Sequence, residues 1–178
     1  MNAMFPLSTL QTNLVAAAPL AETDFERLMA VASDPLIWEQ HPNPDRYKRE
    51  VFATYFKGAL ESGGALLITD AATNEVIGCS RFYDYEPDRR EVKIGYTFFA
   101  RSCWGKGYNT EAKQLMLQHA FQYVDSVIFH VGAQNLRSRR AMEKLGAAFL
   151  GEEDVAYYGE ATKRNVVYRI RKEDWEKI

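Results

Sequence analysis

The sequence predicts an α/β (α+β) fold in which a mixed, mostly antiparallel central sheet is flanked by helices. Three observations predict it. Apolar runs of strand length alternate with helical stretches in the order β-α-α-β-β-β-α-β-α-β-β. Three consecutive runs are joined by hairpin-sized connections, which makes the centre of the sheet antiparallel. The 178 residues, 47% hydrophobic and 26% charged, suit one domain with one core, spanning residues 1–178.

Leu10 to Ala17 reads as the first strand, with Pro19 ending it. Glu22-Thr23-Asp24 opens an amphipathic helix in which Phe25, Leu28, Met29, Val31 and Ala32 recur at helical spacing, and Pro35 stops it. Trp38-Glu39-Gln40-His41-Pro42-Asn43-Pro44 is a loop punctuated by prolines. A second helix runs from Arg46 to Leu60 and closes on Ser62-Gly63-Gly64. Strands follow at Ala65–Thr69, Val76–Tyr85 and Glu91–Ala100. After Gly105-Lys106-Gly107 a helix runs to the neighbourhood of Tyr123, burying Ala112, Leu115, Met116, His119 and Ala120. Ser126–Val131 is a short strand. Asn135 then caps a helix through Leu145, and Gly146 stands where a left-handed stop belongs. Phe149–Tyr158 and Asn165–Arg171 finish the chain as a strand pair around Gly159.

Bulk properties exclude several classes. Lys and Arg number 22 against 24 Asp and Glu, so a net charge of −2 supplies no global field for nucleic acid. No stretch approaches the length of a membrane span. The apolar run Leu14–Ala18 has no Lys or Arg ahead of it and lacks the form of a secretory signal. Two cysteines alone, Cys79 and Cys103, suit a reducing compartment. We therefore expect a cytoplasmic protein with no nucleic-acid or membrane partner, and strand edges that suit a homodimer. His41, His119 and His130 lack metal-ligand spacing, so no metal is expected.

The informative stretch is Phe98-Phe99-Ala100-Arg101-Ser102-Cys103-Trp104-Gly105-Lys106-Gly107-Tyr108-Asn109-Thr110-Glu111. A strand ends, two glycines follow with one residue between them, and a helix begins at once. Glycine bends the backbone tightly and lets a ligand approach, while the first-turn amides and the helix dipole favour an anion. A plain tight turn into a helix would read the same way. A P-loop would need Lys-Ser/Thr after the second glycine, where Tyr108-Asn109 stand, and a dinucleotide fingerprint wants a third glycine at Thr110.

The spelling Trp104-Gly105-Lys106-Gly107-Tyr108-Asn109-Thr110-Glu111-Ala112 resembles the acetyl-CoA-binding turn of the GNAT N-acetyltransferases in their RimJ/RimL-type branch. Asn135-Leu136-Arg137-Ser138-Arg139-Arg140-Ala141-Met142-Glu143-Lys144-Leu145-Gly146 is similar to that branch's N-x-x-S-x-x-x-x-E-K-x-G, and Asp34-Pro35 before Trp38 also resembles it. The resemblance implies acetyl-CoA as co-substrate, and an amine acceptor that attacks the thioester directly. It implies a cradle of Arg101 with the amides of Gly105, Lys106, Gly107, Tyr108 and Asn109, next to a splayed strand end at Phe99 and Ala100. The family's Gln/Arg slot falls on Ser102 here, with Arg101 one residue earlier. Many members carry a tyrosine acid where Met142 stands, so Ser138 inherits the thiolate and Asn135 binds CoA or substrate; both residues also fit a plain helix start. Trp38, Glu39, His41 and Tyr83 fall where the family lines its acceptor pocket, although a strand tyrosine also suits a core.

No base stands out in the sequence. Deprotonating an α-amine of pKa about 7.7–8.0 at pH 7 costs roughly 1 kcal/mol, against about 4.6 kcal/mol for a lysine near 10.4. The expected acceptor is therefore a protein N-terminal α-amine or a small amine. An aminoglycoside, a polyamine or an amino acid is the alternative, and a non-catalytic acetyl-CoA-binding module a third reading.

Overall fold

The structure, a computed structural model, describes residues 3–176. Its strands are β1 (Leu10–Gln11), β2 (Val15–Pro19), β3 (Ala65–Asp70), β4 (Val76–Glu86), β5 (Glu91–Phe99), β6 (Ser126–Gly132), β7 (Ala148–Ala156) and β8 (Thr162–Arg171). Its helices are α1 (Phe25–Ala32), α2 (Arg49–Ser62), α3 (Tyr108–Ala120), α4 (Leu136–Leu145) and the short α5 (Lys172–Trp175). The strands form one sheet in the order β1-β2-β3-β4-β5-β6-β8-β7. Among the described strands only β5 and β6 pair in parallel, with α3 as their crossover. The predicted class holds, and so does the element order except at the two ends, where the first strand is split and the short α5 follows β8. Among the described residues no helix is long and apolar enough to cross a membrane.

The expected first strand is two. Thr12 Oγ1 accepts the N–H groups of Leu14 and Val15, each at 3.0 Å, and this local turn folds β1 back on β2. A hydroxyl that offers the backbone a nearby acceptor breaks an otherwise apolar run. The second helix begins at Arg49 rather than Arg46 and ends on Gly63 at φ 66°. Gly146 ends α4 at φ 84°, as expected of a left-handed stop.

The sheet is covered on both faces. Toward α3 it buries Phe82, Val92, Ile94, Met116, Leu117, Val127 and Phe129. Toward α1 and α2 it buries Leu28, Trp38, Phe52, Tyr55, Leu67 and Phe98. Removing each such side chain from water stabilises the fold by about 1.5–3 kcal/mol, so neither face can lift off cheaply.

A wedge opens in this otherwise continuous sheet. β5 pairs with β6 only from Glu91–Ile94 to Ser126–Phe129. Beyond that point β5 stays on β4 through Phe99, while β6 stays on β8 through Gly132. Between Arg81↔Gly95 and Cys79↔Phe98 the register slips, so Tyr96 and Thr97 together oppose Ser80. Tyr96 has φ 54°, a left-handed value unusual for a tyrosine. A bulge of this kind bends the strand that carries it, and here it accompanies the departure of β5 from β6.

Candidate functional site

A cavity of about 580 Å³ occupies the wedge. Its walls come from β5, β6, the turn before α3, the first turns of α4, and the loop between α1 and α2. In β6, Val127, Phe129 and Val131 belong to the core under α3, so alternation turns His130 toward the α1/α2 side. The opening therefore joins the two faces of the sheet.

On the α3 side the wall is main chain. Gly105 (φ 73°) and Gly107 (φ 89°) both hold left-handed values, which other L-residues reach at a cost of about 1–2 kcal/mol. Gly107 caps α3, and Glu111 N–H closes the first helical bond on its carbonyl at 3.0 Å. The amides of Tyr108, Asn109 and Thr110 precede that bond and have no partner inside the helix. A Cβ built on Gly105 would meet nothing within 4 Å, so the space beside this turn is open.

Among the described residues five basic side chains line the cavity, Arg46, Lys113, Arg137, Arg140 and Lys144, and no Asp or Glu does. Amides at a helix N-terminus together with the basic side chains Arg137, Arg140 and Lys144 make a site for a polyanion such as a nucleotide diphosphate. Ala100 N–H is taken by Ile77 on β4 at 2.8 Å, whereas the Phe99 carbonyl accepts the Trp104 indole N–H at 3.0 Å. Neighbouring residues of a strand turn their main-chain groups to opposite sides, so the Phe99 peptide groups face the wedge.

Asn135 and Ser138 both line the cavity. Asn135 is buried, and its Oδ1 caps α4 through a long 3.4 Å bond from Ser138 N–H. Cap and cavity wall are thus the same residue. Met142, also in the wall, is buried and carries no proton to give.

On the α1/α2 side stand His41, Pro42, Arg46, Tyr96, His130 and Tyr157. Pro42 packs on β6 where Gly132 leaves room, since a Cβ there would lie 2.6 Å from Pro42 Cγ. Burial, then the charges of Arg46 and Arg137, holds the His41 imidazole well below its usual pKa. Arg46 is buried inside a ring of Trp38, Tyr55, Tyr96 and Tyr157, each centroid 5.4–5.7 Å away. Its guanidinium is held in a fork by Glu160, at 2.7 and 2.8 Å.

His130 Nε2 meets Glu153 Oε1 at 2.7 Å, and its Nδ1 is buried with no hydrogen-bond partner among the described residues. Burial first, then Lys93, lowers the pKa of this ring, with Glu153 and Asp84 opposing. A neutral imidazole whose Nε2–H points at a carboxylate keeps its Nδ1 lone pair for a proton.

The structure brings Phe99, Gly105, Gly107, Asn109, Asn135, Ser138 and His41 of the expected residues to one cavity. It does not bring Arg101 there. That side chain is ion-paired to Asp34, whose other oxygen accepts Leu36 N–H at 3.0 Å. Ala100, Lys106 and Tyr108 are also outside the lining; the Tyr108 hydroxyl donates to Asp70 at 2.7 Å and so points away. Trp38 is core, its indole N–H bonded to Ala32 O at 2.8 Å, and Glu39 is exposed. Tyr83 packs edge-on against Tyr96 instead of lining the wall. Cys103 is buried and its thiol pKa raised by burial. Among the described residues no three His, Cys, Asp or Glu side chains cluster as a metal site.

Sequence reasoning missed Lys113, Arg46 and the His130–Glu153 pair. One signal was available: Lys113 lies on the helix stripe of Asn109, Met116 and Ala120, where a lysine is out of place.

A family model described as an acetyltransferase (GNAT) domain matches residues 17–148. Among solved structures, one from T. thermophilus, assigned as an acetyltransferase, is 28% identical at TM-score 0.78, covering 98% of this chain and 94% of that one. A GCN5-related N-acetyltransferase from Brucella melitensis is 20% identical at TM-score 0.78, over 95% and 80% of the two chains. Mycobacterium smegmatis RimJ, solved in complex with CoA-disulfide, is 18% identical at TM-score 0.72, over 94% and 87%. At such identities the last two share the fold alone. No curated protein matches the sequence. A family match across most of the chain agrees with the split sheet and with a glycine turn whose amides face a cationic wedge: the chain belongs to the GNAT acetyltransferases, a family that uses acetyl-CoA.

Proposed function

We propose that this protein transfers the acetyl group of acetyl-CoA to a primary amine by direct attack, the acceptor being a protein N-terminal α-amine or a small amine, as in the RimJ/RimL-type branch. The observation that carries the reading is the cavity itself, which joins an amide-lined, cationic wall on one face of the sheet to an aromatic and imidazole wall on the other. When bound, acetyl-CoA supplies an acetyl group activated as a thioester. The amides of the glycine turn hold the diphosphate, and Arg140 and Lys144 neutralise its charge. Phe99 N–H, facing the wedge, serves as a main-chain donor. The Ser138 hydroxyl hydrogen-bonds the leaving sulfur, a role Met142 cannot fill, and the proton released by the amine is the one that ends on the thiol or passes to solvent. His130 Nδ1 takes the proton of the amine, while Glu153 fixes the tautomer and steadies the imidazolium.

The lining speaks against an aminoglycoside or polyamine. A polycation would meet Arg137, Arg140 and Lys144 and no lining carboxylate, with Glu39 exposed, Glu160 taken up by Arg46 and Asp45 bonded to Lys48. The test is free-thiol release with acetyl-CoA and a panel of amines: peptides with free α-amines, the same peptides α-blocked, small monoamines, spermidine and an aminoglycoside. Release with the free α-amines or monoamines supports the proposal. Cofactor binding without release from any amine would leave a binding module, and release from polycations alone would reverse the acceptor assignment.

A further inference from the structure

Lys113 is the one cavity cation that the fold itself gives no reason to keep. It sits in the second turn of α3 among Ala112, Met116, Leu117 and Ala120, all buried, and is itself 4% exposed. Its ammonium donates to Thr97 Oγ1 at 2.8 Å and, weakly, to Asn109 Oδ1 at 3.4 Å. The Thr97 hydroxyl is also bonded to Ser80 Oγ at 2.8 Å, so the lysine ends on neutral groups. Among the described residues no carboxylate forms an ion pair with it. A leucine or methionine would fill this site without desolvating a charge, so the position is costly as it stands.

Its two partners show what the lysine serves. Thr97 stands on β5 where that strand has left β6, and Asn109 stands in the first turn of α3, beside the open amides. Both line the cavity, as does Lys113. The ammonium is therefore held between the cradle and the strand along which a ligand must lie.

Resting on the acetyl-CoA reading above, we propose that Lys113 is a charge receptor of the cofactor site, and that arrival of the anionic cofactor draws a proton onto it. The groups around it agree. β4 and β5 offer it only hydroxyls, α3 an amide, and the charged side chains of the cavity, Arg46, Arg137, Arg140 and Lys144, are all cations; the other titratable groups in the wall are His41, His130, Cys103, Tyr96 and Tyr157. Burial alone lowers the lysine's pKa to about 7, so a share of the free protein holds it neutral near neutral pH. A diphosphate close by favours the charged form.

The test is calorimetry of dephospho-CoA binding at about pH 7.5 in two buffers of different ionisation heat, which counts protons taken up per ligand. Dephospho-CoA is the probe because it lacks the 3′-phosphate, a group that ionises near neutrality. The wild type is expected to take up roughly half a proton or more. Lys113→Met should lose that uptake and bind about tenfold or more weakly, while melting no lower than the wild type. Lys113→Arg, whose charge is permanent, should bind with no uptake where its melting curve shows that it folds. Wild-type binding without uptake, or a Met variant that binds and takes up protons like the wild type, overturns the inference and leaves the acetyltransferase reading standing. Failure of both dephospho-CoA and acetyl-CoA to bind the wild type overturns both.

Discussion

The guanidinium carbon of Arg81 stands 3.7 Å from the centroid of the Tyr96 ring, and Tyr96 is the residue whose backbone is turned left-handed at the bend of β5. The same ring meets Tyr83 at 5.1 Å and Tyr157 at 5.2 Å. Its hydroxyl accepts Tyr158 N–H at 3.1 Å, and its carbonyl accepts the Tyr55 hydroxyl. An unfavourable φ persists only where surrounding contacts over-determine it. Contacts on the α1/α2 side thus fix the bend that opens the cavity between β5 and β6.

That arrangement reverses a usual order of stability. In an ordinary strand, alanine outranks glycine by roughly 0.5–1 kcal/mol. At Tyr96 the left-handed φ costs alanine about 1–2 kcal/mol and glycine little. Both truncations should destabilise the protein through the lost ring, but Tyr96→Gly should be the more stable of the two by about 1 kcal/mol in urea unfolding. An alanine variant equal to or above the glycine variant would mean that the bend relaxes without its ring.

Two substitutions separate binding from turnover. Gly107→Val places a branched side chain at φ 89°, where it is strained, and should abolish acetyl-CoA binding in calorimetry while the protein still melts cooperatively. Ser138→Ala leaves the amide ring and Asn135 in place. Its Kd for acetyl-CoA should stay within about twofold, with kcat down roughly 10²-fold or more. Equal kcat in the wild type and Ser138→Ala would remove the hydroxyl from the chemistry and leave it as part of the helix start.

The legible features were those whose geometry dictates residue type. Gly105, Gly107 and Gly146 occupy left-handed positions, and Asn135 a cap, so each declares itself in a one-dimensional pattern. The parallel pairing of β5 with β6 across α3 was not legible, since the hairpins before the turn speak only for antiparallel neighbours. What stayed hidden depends on distance or on side-chain direction. Arg46 and Glu160 lie 114 residues apart, and no local signal joins them. Tyr96 is no turn former, so a tyrosine at the bulge reads as plain strand. Arg101 sits at the right place in the chain, but Asp34 holds its side chain elsewhere. The Thr12 turn could have been read, because a Thr-Asn pair inside an apolar run offers a local acceptor.

Acid should weaken both the fold and the reaction. His41 is held well below the ordinary 6.5, first by burial and then by Arg46 and Arg137; His130 is lowered too, chiefly by burial and Lys93. Between the unfolded value of 6.5 and each lower folded value, the unfolded chain carries the proton and the folded chain does not. Stability is therefore complete above that window and falls as pH drops through it, by up to about 1.4 kcal/mol per pH unit for each histidine. His41→Asn should flatten part of this slope in urea titrations from pH 7 downward. The acid limb of kcat, read at saturating acceptor so that the free amine's own titration does not enter, should follow His130 and vanish in His130→Gln, which should also lose roughly 10²- to 10⁴-fold in kcat at neutral pH. An acid limb that survives in His130→Gln would assign the base elsewhere.

Glu160 closes the α1/α2 side of the cavity by holding Arg46, and the pair is buried on both sides, with side chains 3% and 10% exposed. The energetics of such a pair are asymmetric. Removing one partner leaves the other charge buried and uncompensated, at about 3–5 kcal/mol, whereas replacing the arginine by an apolar residue of similar volume removes the charge that needed a partner. Glu160→Gln alone should therefore cost about 3–5 kcal/mol in urea unfolding, and Arg46→Met combined with Glu160→Gln should recover most of it. The aromatic ring of Trp38, Tyr55, Tyr96 and Tyr157 sharpens the expectation, since it can receive a methionine thioether as readily as a guanidinium stem. A double variant no more stable than Glu160→Gln would show that Arg46 holds the loop through its stacking on those rings, with the carboxylate secondary.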